Sequence, residues 1–337
     1  MSTVRARGII SYPETFPDST GGVALTIPNY AYFRGKIVPY SEAKIGVMTH
    51  ALNYGTAIFG GIRGYWNEAD EELFIFRVRD HVRRLFNSAR MMVMDIGLTQ
   101  EQLVQLIVEL IQKEGYRQDV YIRPMAYFAD EIIGVKLHDL QTELTIFSVP
   151  FEKYVENDTG AHVGFSSWRR VDDNMIPARA KVVGAYVNTA FIKTDAVRSG
   201  FDEALVLTAD GHISEGSAEN IFMMRDGVLI TPPITDNILE GITRRTVMEL
   251  AEQELGLTVM QRSIDRTETF ICDELFMTGT AAQVTAITKV DHRPVGDGQM
   301  GPVTSKLRKL YDDAVRGKLK NYRTWNYPVY EKIVAKA

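Results

Sequence analysis

The chain has 337 residues, 45% hydrophobic and 24% charged, which is typical of a globular protein long enough for two domains. Its net charge of −5 excludes the basic field of a nucleic-acid-binding protein, and a single cysteine, Cys272, excludes an intrachain disulfide and favours a reducing compartment. No apolar run is long enough to span a membrane, and the first residues lack a signal-peptide pattern. The histidines stand at no metal-ligand spacing. We therefore expect a cytoplasmic protein with no metal site that binds neither nucleic acid nor membrane.

The first half of the chain predicts an arm followed by a small domain. Residues 1–29 are rich in Thr, Ser, Gly and Pro and show no period, which indicates an extended arm. Residues 30–151 predict an α+β domain, because strand signals surround two stretches of helical apolar spacing. One of those helices opens with Thr99 and Gln102, a capping-box pattern. The predicted elements are hairpins at 34–36 and 63–76, helices over 80–94 and 99–115, and strands over 120–129 and 143–151.

A polar segment, residues 152–160, interrupts the pattern and predicts a linker, and residues 161–337 predict a larger second domain. Its strands are expected at 163–168, 204–208, 213–214, 220–224, 228–231, 274–278 and 284–290, and its helices at 185–199, 240–255 and 302–317. Because ligand sites often lie between domains, we expect the functional site near this junction.

Two segments of the second half carry the strongest chemical signal. The stretch Ile213–Phe222 follows a turn and combines small residues with two carboxylates, Glu215 and Glu219. By itself it also fits an ordinary polar turn. Lys181 precedes Val-Val-Gly on apolar chain, and a buried lysine is uncommon. The alternative for Lys181 is a surface lysine whose stem packs on apolar neighbours.

Seven motifs occur along the chain in this order: His50–Gly55 with Gly61–Arg63, Tyr121–Pro124, Ser166–Arg170, Ala180-Lys181, Ser214–Phe222, Gly241–Arg244 and Gly279–Ala282. Together they make the chain similar to the fold-type IV family of pyridoxal-phosphate (PLP) enzymes, and to its branched-chain-amino-acid aminotransferases in particular. The resemblance extends from about Tyr30 to Trp325. It implies an α+β fold of two domains, like that of D-amino-acid aminotransferase, with a small N-terminal α/β domain and a larger β-rich C-terminal domain with helices. It also implies PLP as cofactor and a homodimer or an assembly of dimers.

The resemblance implies that Lys181 forms the Schiff base with PLP and moves the proton at the substrate Cα. This chemistry needs an unprotonated amine, and burial lowers the pKa of a lysine. Lys193 is the nearest competitor and carries no matching motif. Glu215, the first acid of its stretch, is implied as the partner of the pyridine nitrogen, with Glu219 as the rival. Tyr186 matches the tyrosine on the cofactor's phenolic oxygen, and its alternative is a core aromatic.

The resemblance places further cofactor contacts at Arg63, Leu239, Ile242, Thr243 and Thr280. A helix that begins at Gly241-Ile242-Thr243 offers an anion site at its N-terminus, and an arginine fork fits phosphate oxygens. Thr243 also fits a plain helix cap, and a lone arginine such as Arg63 also fits a surface ion pair.

Substrate contacts are implied at Tyr121, Arg123, Thr280 and Ala281. Tyr121 and Arg123 alternate on a predicted strand and therefore point to one face. The resemblance assigns the α-carboxylate to the tyrosine and to the backbone of the Thr280-Ala281 loop, and the side-chain carboxylate of glutamate to the arginine. The aromatic residues Phe59, Tyr54 and Tyr154 are expected near an apolar pocket.

The expected function is transfer of the amino group of L-leucine, L-isoleucine or L-valine to 2-oxoglutarate, with amino acids and 2-oxo acids as the small-molecule partners. The chain departs from common members at Gly60, where many have glutamate, and at Val182-Val183, where many have Ala-Gly. These departures keep open the alternative of a D-amino-acid or R-selective amine aminotransferase. An aminodeoxychorismate lyase and a non-catalytic scaffold are the further alternatives. A scaffold is expected to have lost the lysine or the phosphate contacts, and the chain retains both.

Overall fold

The structure is a computed structural model that describes residues 27–151 and 159–330. Most of the predicted arm, most of the predicted linker and Tyr154 lie outside these ranges. The division of the chain at 152–160 therefore stays a prediction. Within the described ranges the chain forms two large sheets and six α-helices, which confirms the predicted α+β class.

The first sheet is antiparallel throughout and has eight strands in the order β17-β5-β4-β6-β7-β1-β2, with β3 paired to β6. Its strands are β1 (Tyr30–Phe33), β2 (Lys36–Pro39), β3 (Ala57–Phe59), β4 (Ile62–Asn67), β5 (Glu72–Phe76), β6 (Val120–Phe128), β7 (Thr142–Pro150) and β17 (Asn326–Pro328). The predicted hairpins and strands of this half are confirmed. The C-terminal strand β17 adds an edge that the sequence did not predict.

Three helices accompany the first sheet, namely α1 (His50–Tyr54), α2 (Val78–Met91) and α3 (Gln100–Glu114). The predicted capping box of α3 is present, since Thr99 Oγ1 accepts from Gln102 N and Gln102 Oε1 accepts from Thr99 N. The helix ends at Gly115, whose φ of 72° is the left-handed conformation that favours glycine. The apolar faces of α2 and α3 pack on the sheet in one core.

The second sheet has nine strands in the order β10-β9-β8-β15-β14-β11-β12-β13, with β16 paired to β15. Its parallel pairs are β8 with β9, β8 with β15, and β12 with β13. The strands are β8 (Ala161–Arg169), β9 (Glu203–Leu207), β10 (Ile213–Gly216), β11 (Asn220–Arg225), β12 (Val228–Thr231), β13 (Thr258–Gln261), β14 (Glu274–Gly279), β15 (Gln283–Val290) and β16 (Arg293–Pro294).

The second sheet is buried on both faces, because alternate residues of a strand point to opposite sides. On β11, Ile221 and Met223 enter one core, while Phe222 enters another and stacks on Phe276 of β14. The second of these cores also holds Tyr65 of the first sheet, so it joins the two halves of the molecule. The helices of this half are α4 (Tyr186–Arg198), α5 (Ile242–Leu255) and α6 (Pro302–Val315).

Within the described ranges, no helix has the length and apolar character needed to cross a membrane.

Candidate active site

Lys181 lies on the chain between β8 and α4, where its backbone is held from two sides. Its carbonyl accepts from Phe59 N of β3 at 3.1 Å, and its N–H donates to Ser88 Oγ of α2 at 3.2 Å. The next residue, Val182, forms a bridge with Ile58. A short 3₁₀ turn, Val183–Ala185, then leads into α4. The lysine is thereby fixed between the first sheet and the second half of the chain.

The Lys181 side chain is half-buried, and its Nζ donates to Tyr186 Oη at 2.5 Å. The Phe59 ring lies beside both groups, 5.0 Å from Nζ and 4.9 Å from the Tyr186 ring centre. Burial lowers the pKa of Lys181 to about 7, and the positive charge of Arg84 adds to that effect against the pull of Glu215. Near neutral pH a large share of this amine is therefore unprotonated.

The buried Glu215 of β10 accepts three hydrogen bonds. Arg170 Nη2 lies 3.0 Å from Oε1, Leu239 N donates to Oε2 at 3.0 Å, and Asn220 Nδ2 lies 3.5 Å from Oε2. Three donors stabilise the ionised form of a buried carboxyl group. Glu215 is thus a fixed negative charge in the wall of the pocket that holds Lys181.

Glu219, the rival acid, occupies a different place. Its carboxylate accepts from Ala218 N at 3.0 Å and lies close to the backbone of Gly216. Burial, with the nearby charge of Glu203, raises the pKa of Glu219. Glu203 itself pairs with Lys193 at 2.7 Å. Glu219 is a buried carboxyl group whose raised pKa favours the protonated form, and Lys193 pairs with its neighbour Glu203.

A pocket that opens to solvent joins Lys181 and Glu215. Small side chains line much of it. The lining residues are Arg170, Ala178, Ala180, Lys181, Val182, Ala185, Tyr186, Thr189, Glu215, Ser217, Ala218, Asn220 and Leu239. Four of the predicted cofactor residues (Lys181, Tyr186, Glu215 and Leu239) are therefore brought together in one cavity.

The N-terminus of α5 lies next to this pocket. Gly241 precedes the helix, and a Cβ at that position would lie 2.1 Å from Asn220 Oδ1. Asn220 also donates from Nδ2 to Leu239 O at 3.0 Å. Ile242 and Thr243, the first two residues of α5, are both buried. Because Gly241 has no side chain, the N-terminus of α5 packs tightly on Asn220, which contacts Glu215. A helix N-terminus is an anion-binding site.

The other predicted phosphate contacts lie along the seam between the two halves. Thr280 Oγ1 donates to Gly61 O at 3.1 Å and so connects the β14–β15 turn to the β3–β4 turn. Arg63 follows on β4, where its guanidinium is buried and donates to Phe151 O at 2.9 Å. The Tyr65 ring lies beside Arg63, and the Tyr65 hydroxyl is 3.4 Å from that of Tyr311.

Tyr121 and Arg123 share one face of β6, as the alternation predicted. Arg123 donates to Tyr121 Oη from Nη2 at 2.6 Å and from Nε at 3.0 Å. The guanidinium lies 4.3 Å from the centre of the Phe59 ring, which also contacts Lys181. A Cβ on Gly61 would lie 2.7 Å from Tyr121 Oη, so this glycine leaves room for the hydroxyl. Ala281 is half-exposed on the neighbouring turn.

Sequence reasoning assigned no role to Arg170, Asn220 or Arg84. Arg170 stands in the quoted Ser166–Arg170 motif, which was the available signal for its ion pair with Glu215. Asn220 likewise stands in the Ser214–Phe222 stretch. Arg84 lies on a helix that the sequence presents only as amphipathic, so nothing in its local pattern marks it.

Gly60 and Tyr54 lie at the edge of the site. Pro124 occupies the space beside Gly60, because a Cβ on Gly60 would lie 3.0 Å from Pro124 Cγ. Tyr54 points to another loop, where its hydroxyl accepts from Gly134 N at 3.1 Å. Of Phe59 and Tyr54, the two members of the predicted group that the structure describes, Phe59 contacts Lys181.

Comparisons with known proteins agree with this geometry. The amino-transferase class IV family matches residues 57–290. A probable branched-chain-amino-acid aminotransferase of Aquifex aeolicus is 48% identical over 304 residues, 90% of this chain and 98% of that protein.

Two solved structures are similar along nearly their full length. The branched-chain aminotransferase of Thermoproteus uzoniensis, solved with norvaline, has a TM-score of 0.86 and 42% identity, covering 89% of this chain and 99% of that one. The branched-chain amino acid aminotransferase of Thermobaculum terrenum, solved in its PLP form, has a TM-score of 0.86 and 39% identity, covering 90% of this chain and 98% of that one. The chain belongs to the amino-transferase class IV family.

Proposed function

We propose that this protein is a PLP-dependent branched-chain-amino-acid aminotransferase, which transfers the amino group of L-leucine, L-isoleucine or L-valine to 2-oxoglutarate. The observation that carries the proposal is the half-buried Lys181 amine. This amine is hydrogen-bonded to Tyr186 in a pocket that Glu215 also lines. Family membership and nearly full-length similarity to branched-chain aminotransferases support the choice of substrate.

The residues present fit the cofactor. Lys181 would hold its aldehyde carbon, Tyr186 its phenolic oxygen and Glu215 its pyridine nitrogen, and these three side chains line one pocket. The close packing of Gly241 on Asn220 leaves the α5 N-terminus, with Ile242 and Thr243, as the site for the phosphate. Arg63 and Thr280 are assigned to the phosphate as well, and Leu239 to the wall of the pocket.

Each residue has a defined task. When bound, PLP supplies the carbonyl that takes up the amino group and a ring that accepts electron density from the substrate Cα. The neutral Lys181 amine accepts the Cα proton and returns it on the other side of the reaction. Glu215, held in place by three donors, favours a protonated pyridine nitrogen. Burial raises the pKa of Tyr186, so its hydroxyl remains a donor.

Substrate selection is assigned to the face of β6. Arg123 supplies the positive charge for the second carboxylate of glutamate, and its bonds to Tyr121 Oη fix where that charge lies. The Phe59 ring offers an apolar surface to a branched side chain at the same place. Tyr121 and the backbone of Thr280 and Ala281 are assigned to the α-carboxylate.

We propose a homodimer as the smallest assembly. Large apolar side chains are exposed on the small-domain loops, with Val47 83% and Ile133 77% exposed, and Phe191 of α4 is 49% exposed. Exposed apolar groups of this size favour burial against another chain. A reducing compartment such as the cytoplasm is our proposal for its location, supported by the single, buried Cys272.

A half-reaction scan tests the function. Purified protein carrying PLP is mixed separately with L-leucine, L-glutamate, D-alanine and (R)-1-phenylethylamine, and the visible cofactor band is followed as it converts to that of pyridoxamine phosphate. Fast conversion by the two L-amino acids alone is the expected result. Fast conversion by D-alanine or by the amine instead would assign the protein to the alternative specificity. A protein that shows no band after PLP is added contradicts the whole proposal.

A further inference from the structure

One face of α2 lies along the entrance to α5 and links the two halves of the molecule. Residues 77, 80, 84 and 88 follow helical spacing and share that face. Arg77 pairs with Glu249 of α5, and Asp80 lies 3.4 Å from Arg245 of the same helix. Ser88, at the other end of the row, bonds the backbone N–H of Lys181. Arg84 occupies the place between these contacts.

The guanidinium of Arg84 holds the loop before α5. Its Nη1 donates to Glu240 O at 3.1 Å. Glu240 follows Leu239, whose N–H donates to Glu215, and precedes the Gly241 N-cap of α5. The Glu240 carboxylate lies 3.7 Å from Arg179 Nε, two residues before Lys181. One hydrogen bond from α2 therefore fixes the segment that serves both Glu215 and the α5 N-terminus.

Arg84 lies one helical turn from Ser88, which accepts a hydrogen bond from Lys181 N, so its charge acts on the reactive amine. In the described parts of the chain, no ion pair joins Arg84 to a carboxylate, and burial lowers its pKa. Among the neighbouring charges, Arg84 lowers the pKa of Lys181 most. His81, one turn earlier on α2, is neutral, because burial lowers its pKa well below the ordinary value.

The remaining groups that face Lys181 come from the other elements packed around it. They are Arg123 from β6, Arg170 after β8, Tyr186 from α4 and Glu215 from β10. Arg123 is bonded to Tyr121, and Arg170 is paired with Glu215. Arg84 differs from Arg170 because its hydrogen bond goes to a neutral carbonyl, which leaves its charge uncompensated by a bonded carboxylate.

We propose that Arg84 is a positioning residue of the active site, which anchors the Leu239–Thr243 loop to α2 and keeps a positive charge beside Lys181. The inference rests on the proposed function. Its consequence is that the charge of Arg84 disfavours a proton on the Lys181 nitrogen, while its bond to Glu240 stabilises the loop around the bound cofactor.

The test uses the holoenzyme and reads the pH midpoint of the visible cofactor band. Arg84→Gln removes the charge and keeps a donor for the Glu240 carbonyl, Arg84→Lys keeps the charge, and Arg83→Gln is the matched control, since Arg83 is a neighbouring exposed arginine paired with Asp80. We expect R84Q to raise the midpoint by about one pH unit, because loss of a nearby cation favours the protonated nitrogen. We expect R84K and R83Q to retain the wild-type midpoint.

The rate of PLP release after dilution is the second readout. Loss of the arginine fork in R84K is expected to speed release at least about threefold without a change in midpoint. An R84Q midpoint equal to that of R83Q overturns the proposal, whatever the release rates. If R84Q fails to fold, Arg84→Met serves as the charge-removing variant. A wild-type protein that shows no visible band contradicts the proposed function itself, so the two failures are distinguishable.

Discussion

Gly55 and Gly184 touch through their backbones. The N–H of Gly184 donates to Gly55 O at 3.1 Å, and a Cβ on Gly55 would lie 2.8 Å from Gly184 Cα. Gly55 ends α1 with a φ of 68°, and Gly184 lies three residues after Lys181. This contact holds the chain that carries the reactive lysine against the turn between α1 and β3, and it leaves no room for a side chain on Gly55.

We predict that Gly55→Ala destabilises the protein more than Gly97→Ala. Both glycines have positive φ, 68° and 70°, but a Cβ on Gly97 meets nothing within 4 Å. The control therefore measures the backbone strain alone, about 1–3 kcal/mol. The additional loss in G55A measures the contact with Gly184. Equal free energies of unfolding in urea for the two variants would show that the contact is dispensable.

Exchange of each acid for its amide separates Glu215 from Glu219. Glu215→Gln removes the charge that the pocket presents, and we expect kcat to fall roughly 100-fold or more, the scale of a preorganised electrostatic contact. Glu219→Gln replaces a protonated carboxyl group by a neutral group of the same shape, so kcat is expected to stay within about threefold of the wild-type value. Steady-state assays with L-leucine and 2-oxoglutarate decide the matter. A larger loss of kcat in E219Q than in E215Q would exchange the roles assigned to the two acids.

Glu219 also predicts how stability changes with pH. Burial raises its pKa above the ordinary value of 4.5, so the folded chain keeps a proton that the unfolded chain releases. Above about pH 4.5 the wild-type free energy of unfolding therefore falls relative to that of E219Q as pH rises. Between about pH 5 and about pH 7, urea unfolding should show the free energy of unfolding of E219Q rising relative to that of the wild type. A difference that is constant with pH contradicts the buried, protonated assignment.

The amine of Lys181 predicts the pH dependence of cofactor uptake by apoprotein. Its pKa is lowered from 10.5 to about 7, and only the neutral amine reacts with an aldehyde. The rate of covalent uptake should rise roughly tenfold per pH unit below pH 7 and level off above it. Stopped-flow absorbance measures that rate. A continuing rise to about pH 10 would indicate an unperturbed lysine.

Arg123 is expected to bind the side chain of L-glutamate and to have little effect on the reaction of L-leucine. Arg123→Met removes the charge assigned to the second carboxylate, so kcat/KM for L-glutamate should fall about 10- to 150-fold, the value of a lost hydrogen bond to a charged group. The half-reaction with L-leucine, which has no second carboxylate, is the internal control and should change little. An equal loss for both amino acids would assign Arg123 to the α-carboxylate.

Local signals predicted much of the fold. The capping box of Thr99 and Gln102 places the start of α3 because its bonds are local. The edge strand β13 was missed, since it follows α5 closely and is mostly exposed. The pairing of β17 with β5 was missed because a three-residue strand that contains Pro328 shows no local pattern. Such strands are defined by partners distant in the chain.

The same contrast between local signals and contacts distant in the chain holds for the candidate active site. The family resemblance predicted Lys181, Tyr186, Glu215 and Leu239, and the structure brings these four residues into one pocket. Contacts between segments distant in the chain could not be predicted from the sequence. The bond from Arg84 to Glu240 spans 156 positions, and neither residue belongs to a pattern that predicts the other.

The most direct test of the proposed function is to identify the lysine that carries the cofactor. Holoprotein is reduced with borohydride, which fixes the bound cofactor to its lysine, and the digested peptides are analysed by mass spectrometry. We expect the phosphopyridoxyl group on the peptide that contains Lys181, and its absence in Lys181→Ala but not in Lys193→Ala. A label on Lys193, or on no lysine at all, would contradict it.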